Sequence, residues 1–297
     1  MTIYFNNSSL QDLPCGQRYY LKVIRGARVP KEAYHDRGLI FHKLAELVTP
    51  DDSAMSMGMI NKPDCLKSME DNDAILLVNF ILQARDAGHI LPSAKREFYF
   101  ELDETHLLEP DVIGDNKLLR VGTIDQVHYN EKDNFIDIDD HKTTTKTINP
   151  EFMQGYVLKS QPMFYITAIK DMAWKTPKEF TKTFGAAATE AAAQGRIRWR
   201  YLFHQLVQRK TLATSYTLYH DDELASFERV LNEKRNLVAF YHKNPTLCRT
   251  KDGIMSGHCY FCAFKSICAL MNPEKEEQAI ESWKLGFTPY NPKHKDE

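Results

Sequence analysis

In the run Phe135-Ile-Asp-Ile-Asp-Asp-His-Lys142, Ile136 to Asp139 alternate apolar and acidic side chains, and the run then becomes fully polar. Alternation with a period of two is the pattern of a strand. Successive side chains then point to opposite faces, so Ile136, Ile138, Asp140 and Lys142 share one face and Phe135, Asp137, Asp139 and His141 the other. Asp140 and Lys142 therefore stand at the end of an apolar stripe. The preceding segment, Leu118 to Tyr129, also reads as a strand, and Val121, Thr123, Asp125 and Val127 share one of its faces. A hairpin loop over Asn130-Glu131-Lys132-Asp133 sets Asp125 opposite Ile138 and diagonal to Asp140.

Two carboxylates and an amine at the edge of an apolar surface suit phosphodiester hydrolysis. Carboxylate oxygens hold a hard divalent cation, and such a cation acidifies a bound water. A lysine orients that water or stabilises charge developing on the phosphate. Asp-x-Lys alone is a cheap pattern, and Asp115-Asn-Lys117 repeats it in a predicted turn. Only Asp140-His141-Lys142 ends an alternating strand beside a second carboxylate on the buried face.

Outward from the hairpin, Arg37 to Val48 reads as a helix with Ile40, Phe41, Leu44, Leu47 and Val48 at apolar spacing, and His42 lies one turn after Gly38. A polar loop is expected over Thr49 to Lys67. A second helix is expected over Asp73 to Ala87, capped by Asn72 or Asp73 and ended by Gly88. Glu97 to Leu102 reads as a strand. Pro150 opens a helix that Pro162 interrupts near Ser160 to Gln161. A helix over Gln161 to Tyr165 puts these two side chains on one face, four residues apart. The Ala-rich Gly185–Gly195 segment reads as a short surface helix or a flap, Arg196 to Thr217 as two strands, and Asp221 to His242 as an amphipathic helix. Strands alternating with helices point to a mixed α/β core.

The order Gly38-x₃-His42, Gly122-x₂-Asp125, Asp140-x-Lys142-Thr143 and Gln161-x₃-Tyr165 resembles the RecB-like branch of the PD-(D/E)xK nucleases, from about Ser8 to Leu270. The resemblance implies a restriction-endonuclease-like fold, with a central mixed sheet flanked by helices. It implies Mg²⁺ or Mn²⁺ held by His42, Asp125 and Asp140, with the carbonyl of His141 assisting, and Lys142 as the catalytic lysine. Gln161 and Tyr165 would support DNA binding, and Glu97 matches an acidic position that often precedes the metal aspartate.

The six cysteines are unevenly spread, and Cys259-x₂-Cys262-x₅-Cys268 puts three thiols within ten residues. Such clustering reads as a metal site more readily than as disulfides. Cys248 with these three would make a local zinc site. The segment around Cys15, followed by Gly-Gln-Arg18, resembles the N-terminal Cys-Pro-x-Arg of iron–sulfur RecB-like nucleases such as CRISPR adaptation nucleases and AddB, with Gly16 in place of the proline. That resemblance implies a [4Fe–4S] cluster on Cys15, Cys259, Cys262 and Cys268. Cys65 reads as unligated. The expected organisation is one nuclease domain over residues 1–272, its ends clasped by Cys15 and residues 259–268, with a polar tail over 273–297.

The net charge of −2 argues against a protein that merely coats DNA, but not against an enzyme that places carboxylates and cations in one cleft. Basic side chains are local: four lysines in Lys170–Lys182, and Arg196, Arg198 and Arg200 around Trp199, a strand that would line a DNA path with Trp199 stacking a base. No apolar run approaches a membrane span, and Met1 to Leu13 lacks the features of a signal peptide. A cytoplasmic protein of a bacterial or phage-infected cell is expected. The predicted activity is a DNA exonuclease or end-processing nuclease in repair or recombination, acting on single strands or duplex ends. The alternative is a non-catalytic DNA- or partner-binding protein with a structural zinc. The sequence has no P-loop, so unwinding would need a helicase or recombination partner.

Overall fold

The structure, a computed structural model, describes residues 1–26, 33–48, 66, 70–157, 159–245, 262, 264, 268, 275, 277–279 and 281. In chain order its elements are β1 (Thr2–Phe5), α1 (Asn7–Asp12), α2 (Gly16–Tyr19), α3 (Ala33–Leu47), α4 (Asp71–Asp86), β2 (Lys95–Asp103), α5 (Pro110–Ile113), β3 (Lys117–Asn130), β4 (Phe135–Thr144), α6 (Pro150–Val157), α7 (Gln161–Lys175), α8 (Pro177–Phe184), α9 (Ala186–Ala193), β5 (Ile197–Gln205), β6 (Lys210–Ala213) and α10 (Asp221–Lys243). The chain divides into two compact units, each assembled from separate stretches. One comprises Met1–Pro30, Tyr99–Gly122 and Asp222–Glu297, and the other Lys31–Phe98 and Thr123–Asp221.

The expected mixed sheet is present. Its strands run in the order β1-β3-β4-β5-β6, with β2 also paired to β3. β1 is parallel to β3, β3 antiparallel to β4, β4 parallel to β5, and β5 antiparallel to β6. A parallel pair needs a crossover, and α6 to α9 supply it between β4 and β5. The predicted break at Pro162 separates α6 from α7: the proline sits in the first turn of α7, where its missing N–H leaves no bond unmade. The second predicted helix begins earlier than expected, after Glu70, because Ala74 N–H already donates to the Glu70 carbonyl.

The register of the hairpin differs from the sequence expectation by two residues. The loop is Glu131–Asn134, with Asn134 at φ 59°, and the pairs run from Asn130↔Phe135 to Gln126↔Asp139. Val127, not Asp125, therefore faces Ile138. A shift of two leaves each side chain on its predicted face. Both faces of β4 are covered: Phe135 is only half-exposed, and Ile136 to His141 are buried.

The second face carries charge. Asp137 pairs with Arg198 and Asp139 with Arg200, each aspartate being the register partner of its arginine on β5. Tyr216 lies under both guanidinium groups, at 4.3 and 4.5 Å, and its hydroxyl donates to Asp139. These arginines thus serve the sheet, not a DNA path. Trp199, between them on the other face, is 1% exposed and stacks on Tyr165, so it is closed to a nucleobase. The Ala-rich segment is a helix with Ala188, Ala191 and Ala192 fully buried, which replaces the flap reading. Thr49–Lys67, apart from Leu66, and Cys65, Cys248 and Cys259 lie outside the described residues. So does most of the expected tail, although Glu277 and Glu281 in it pair with Arg25. No helix among the described residues is long and apolar enough to cross a membrane.

Candidate active site

Four elements of the second unit bring the predicted residues together. β4 carries Asp140 and Lys142, β3 carries Asp125, α3 carries His42, and β2 carries Glu97. The approach of α3 depends on Gly38: a Cβ there would stand 2.7 Å from the Thr143 hydroxyl oxygen on β4. This gives the Gly38-x₃-His42 pattern its reason. The glycine lets the helix lie against β4, and one turn later His42 reaches the carboxylates. Phe41, Leu44, Phe80 and Ile81 anchor α3 and α4 to each other in a buried apolar cluster.

The backbone ladder between β3 and β4 stops at Gln126↔Asp139. Beyond it the Asp125 side chain accepts the His141 backbone N–H at 2.8 Å. The parting of the strands makes room for a cluster: His42 Nδ1 lies 3.4 Å from Glu97 and 3.8 Å from Asp125, and one ligand atom from each residue falls within 4.8 Å of the others. Glu97 adopts φ 46°, a left-handed conformation rare for a side-chain-bearing residue. Such strain often marks a site where a side chain has been aimed. Asp140 stands beside the cluster, with one oxygen accepting from Gln161 at 3.0 Å and the other paired to Lys142.

The electrostatics follow from burial against charge. Burial opposes a proton on His42, but Asp125, Glu97 and Asp140 outweigh it and hold the pKa above the ordinary value. The field that retains that proton would equally attract a divalent cation. Burial pushes the Asp125 carboxyl up, yet the charges on His42 and Lys142, together with the hydrogen bond from the His141 backbone N–H, bring it below the usual range. Asp140 is pushed up to about 6, chiefly by burial, against the opposing pull of Lys142. Burial would strip Lys142 of its proton, but Asp140 and Asp125 prevail and raise its pKa. Lys142 is therefore a cation at neutral pH. One imidazole nitrogen and two carboxylates in reach of one point, with a third carboxylate adjacent, fit a hard divalent cation.

A sequence model of the PD-(D/E)XK nuclease superfamily matches residues 10–269. The chain belongs to that superfamily. Its members are metal-dependent nucleases that use divalent ions such as Mg²⁺ or Mn²⁺ and act on DNA. No curated protein matches the chain. Asp125 lies within β3, and Asp140 and Lys142 lie within β4.

Other predicted residues have mixed placements. The His141 ring Nδ1 meets His204 at 2.7 Å, the rings stacked at 14°, and His204 in turn meets Thr211 at 2.9 Å. Gln161 reaches Asp140, whereas Tyr165 lies half-buried against Trp199. Cys15 occupies the N-cap position of α2 without a side-chain capping bond, and Cys15, Cys262 and Cys268 are half-buried thiols. Asp115 is exposed in the turn before β3, and Lys117 pairs with Asp103. Sequence reasoning undervalued Glu97, whose strand shows no motif around it.

Proposed function

We propose that this chain is a DNA exonuclease or end-processing nuclease of the RecB-like branch, using Mg²⁺ or Mn²⁺ held by His42, Glu97, Asp125 and Asp140 with the His141 carbonyl assisting. The convergence of His42, Glu97 and Asp125 beside the Asp140–Lys142 pair carries this reading. A bound divalent ion would supply Lewis acidity toward the phosphate and an acidified water. Asp125 and Asp140 supply the negative charge that retains it. Asp125 is held in line by the His141 N–H and Asp140 by Gln161. Lys142, charged at neutral pH, stabilises the extra negative charge on the phosphate and orients the attacking water. It is not the proton acceptor. Gln161 and Tyr165 support the DNA by shaping the floor beside Asp140.

The proposal extends to the cysteines. A [4Fe–4S] cluster on Cys15, Cys259, Cys262 and Cys268 would join the two ends of the first unit, to which Met1–Pro30 and Asp222–Glu297 both belong. The Arg25–Glu277 contact already ties these two segments. Zinc, with Cys248 as a ligand, is the competing occupant. A helicase or recombination partner would supply unwinding, and the setting is the cytoplasm.

The test is anaerobic purification, a visible spectrum, and an assay of end-labelled single- and double-stranded DNA with Mg²⁺ or Mn²⁺ beside Asp140→Ala. A brown protein that shortens DNA from its ends only with Asp140 intact is the expected result. A wild-type protein inert on every DNA form would return the chain to the non-catalytic binding alternative, and a colourless, zinc-loaded one would remove the cluster.

A further inference from the structure

The break between α6 and α7 places a second lysine at the site. Lys159 Nζ lies 3.7 Å from the centroid of the Tyr156 ring, and its N–H donates to the Tyr156 carbonyl at 3.1 Å. Tyr156 is itself fixed. Its ring packs on Tyr201 and Phe203 at 5.6 and 5.2 Å, and its carbonyl accepts the Tyr201 hydroxyl. Tyr201 and Phe203 are the β5 register partners of Asp140 and Lys142. In a parallel pair, register partners point to the same face. Tyr156 therefore sets the Lys159 ammonium on the face of the sheet that presents Asp140 and Lys142. Two residues further on, Gln161 bonds Asp140.

The two lysines differ in their partners. Lys142 is ion-paired with Asp140. Among the described residues no carboxylate contacts the Lys159 ammonium. An aromatic face leaves the positive charge in place. Burial and the charge of Lys142 both act against that charge, and Asp140 only partly offsets them. A half-buried cation held near another cation is unfavourable for the fold alone, and it becomes favourable when an anion arrives.

We propose that Lys159, presented by Tyr156, binds a backbone phosphate of DNA flanking the scissile one. This rests on the DNA-nuclease reading above. The scissile phosphate is left to Lys142 and the carboxylate-bound ion, so Lys159 governs affinity and register along the strand rather than the chemical step. One lysine on one phosphate contributes one released counterion.

The experiment measures binding of a labelled oligodeoxythymidylate without divalent ions across a salt series, for wild type, Lys159→Gln and Lys159→Arg, with melting curves to confirm folding. Steady-state cleavage is measured in parallel. The expected result for Lys159→Gln is about tenfold weaker binding at moderate salt, a log–log salt slope smaller by about 0.7, a raised KM and a kcat within about twofold of wild type. Lys159→Arg should restore the slope. A merely structural lysine would lower the melting temperature and leave the salt slope unchanged, which overturns the proposal. A fall in kcat at unchanged affinity also overturns it, by moving Lys159 to the scissile phosphate. Failure of the wild type to bind any DNA overturns the nuclease reading and this inference together, whereas DNA binding with equal slopes overturns this inference alone.

Discussion

At the scale of single residues, the site sets ionisation against burial. Asp125, Asp140 and Lys142 are held as charged groups in a region that disfavours charge, which suits the proposed binding of a cation and a phosphate. Asp125→Asn, Asp140→Asn and Lys142→Ala should each lower the cleavage rate at least about a hundredfold, measured on end-labelled DNA with folding checked by circular dichroism. Loss of less than about tenfold in all three would remove the centre from this place. Glu97→Gln separates the four-residue ligand set from the three that the sequence suggested. It should weaken metal binding, read by calorimetry, about as much as His42→Ala. The strand position of Asp140 and Lys142 was legible because a period of two assigns faces. Glu97 was legible only through the family resemblance, because a single left-handed residue in a strand leaves no periodic trace.

Elements meet the site through two close contacts. The first is α3 on β4 at Gly38. Gly38→Val should displace His42 and weaken metal binding about tenfold, and Thr143→Ala in the same chain should recover part of it, since the obstructing atom is the Thr143 hydroxyl oxygen. An unaffected metal affinity in Gly38→Val would show that the helix has slack there. The second is the β4–β5 pairing, held on the far face by Asp137–Arg198 and Asp139–Arg200. Removing one partner of a buried pair leaves the other uncompensated. Arg200→Met should therefore cost about 3 kcal/mol by urea denaturation, and Asp139→Asn added to it should return part of that loss. These arginines illustrate a limit of sequence reading. A basic strand around a tryptophan looks like a nucleic-acid surface until the partner strand supplies an aspartate at each matching register position.

For the molecule as a whole, stability should depend on pH through His141 and His204. Burial, opposed by Asp125, depresses His141 to about 4, and burial, with the charge of His42 nearby, lowers His204 well below its ordinary value. Both rings are neutral in the fold, while in the unfolded chain they take protons near pH 6.5. The unfolded state then binds more protons, so stability falls as pH falls from about 6.5 toward 4. Urea midpoints measured across that window should drop steadily, and His204→Gln should flatten the dependence. A midpoint that is level from pH 7 to 4.5 would contradict the buried neutral pair. Removal of the proposed iron–sulfur cluster should lower the melting temperature, because the ligands close a loop across nearly the whole chain.

The sequence by itself determined the mixed α/β class, the helix break at Pro162, the face shared by Asp140 and Lys142, and the family pattern of His42, Asp125, Asp140 and Lys142. Each rests on local periodicity, a breaker residue or spacing along the chain, which a linear reading captures. Tertiary structure alone decided the hairpin register, the burial of Trp199, the pairing of Arg198 and Arg200 with β4, the joining of Glu97 to His42 and Asp125, and the seat of Lys159 over Tyr156. These depend on which strand lies beside which and on which residues meet across it. Side chains far apart in the chain acquire a shared environment only when the sheet is assembled.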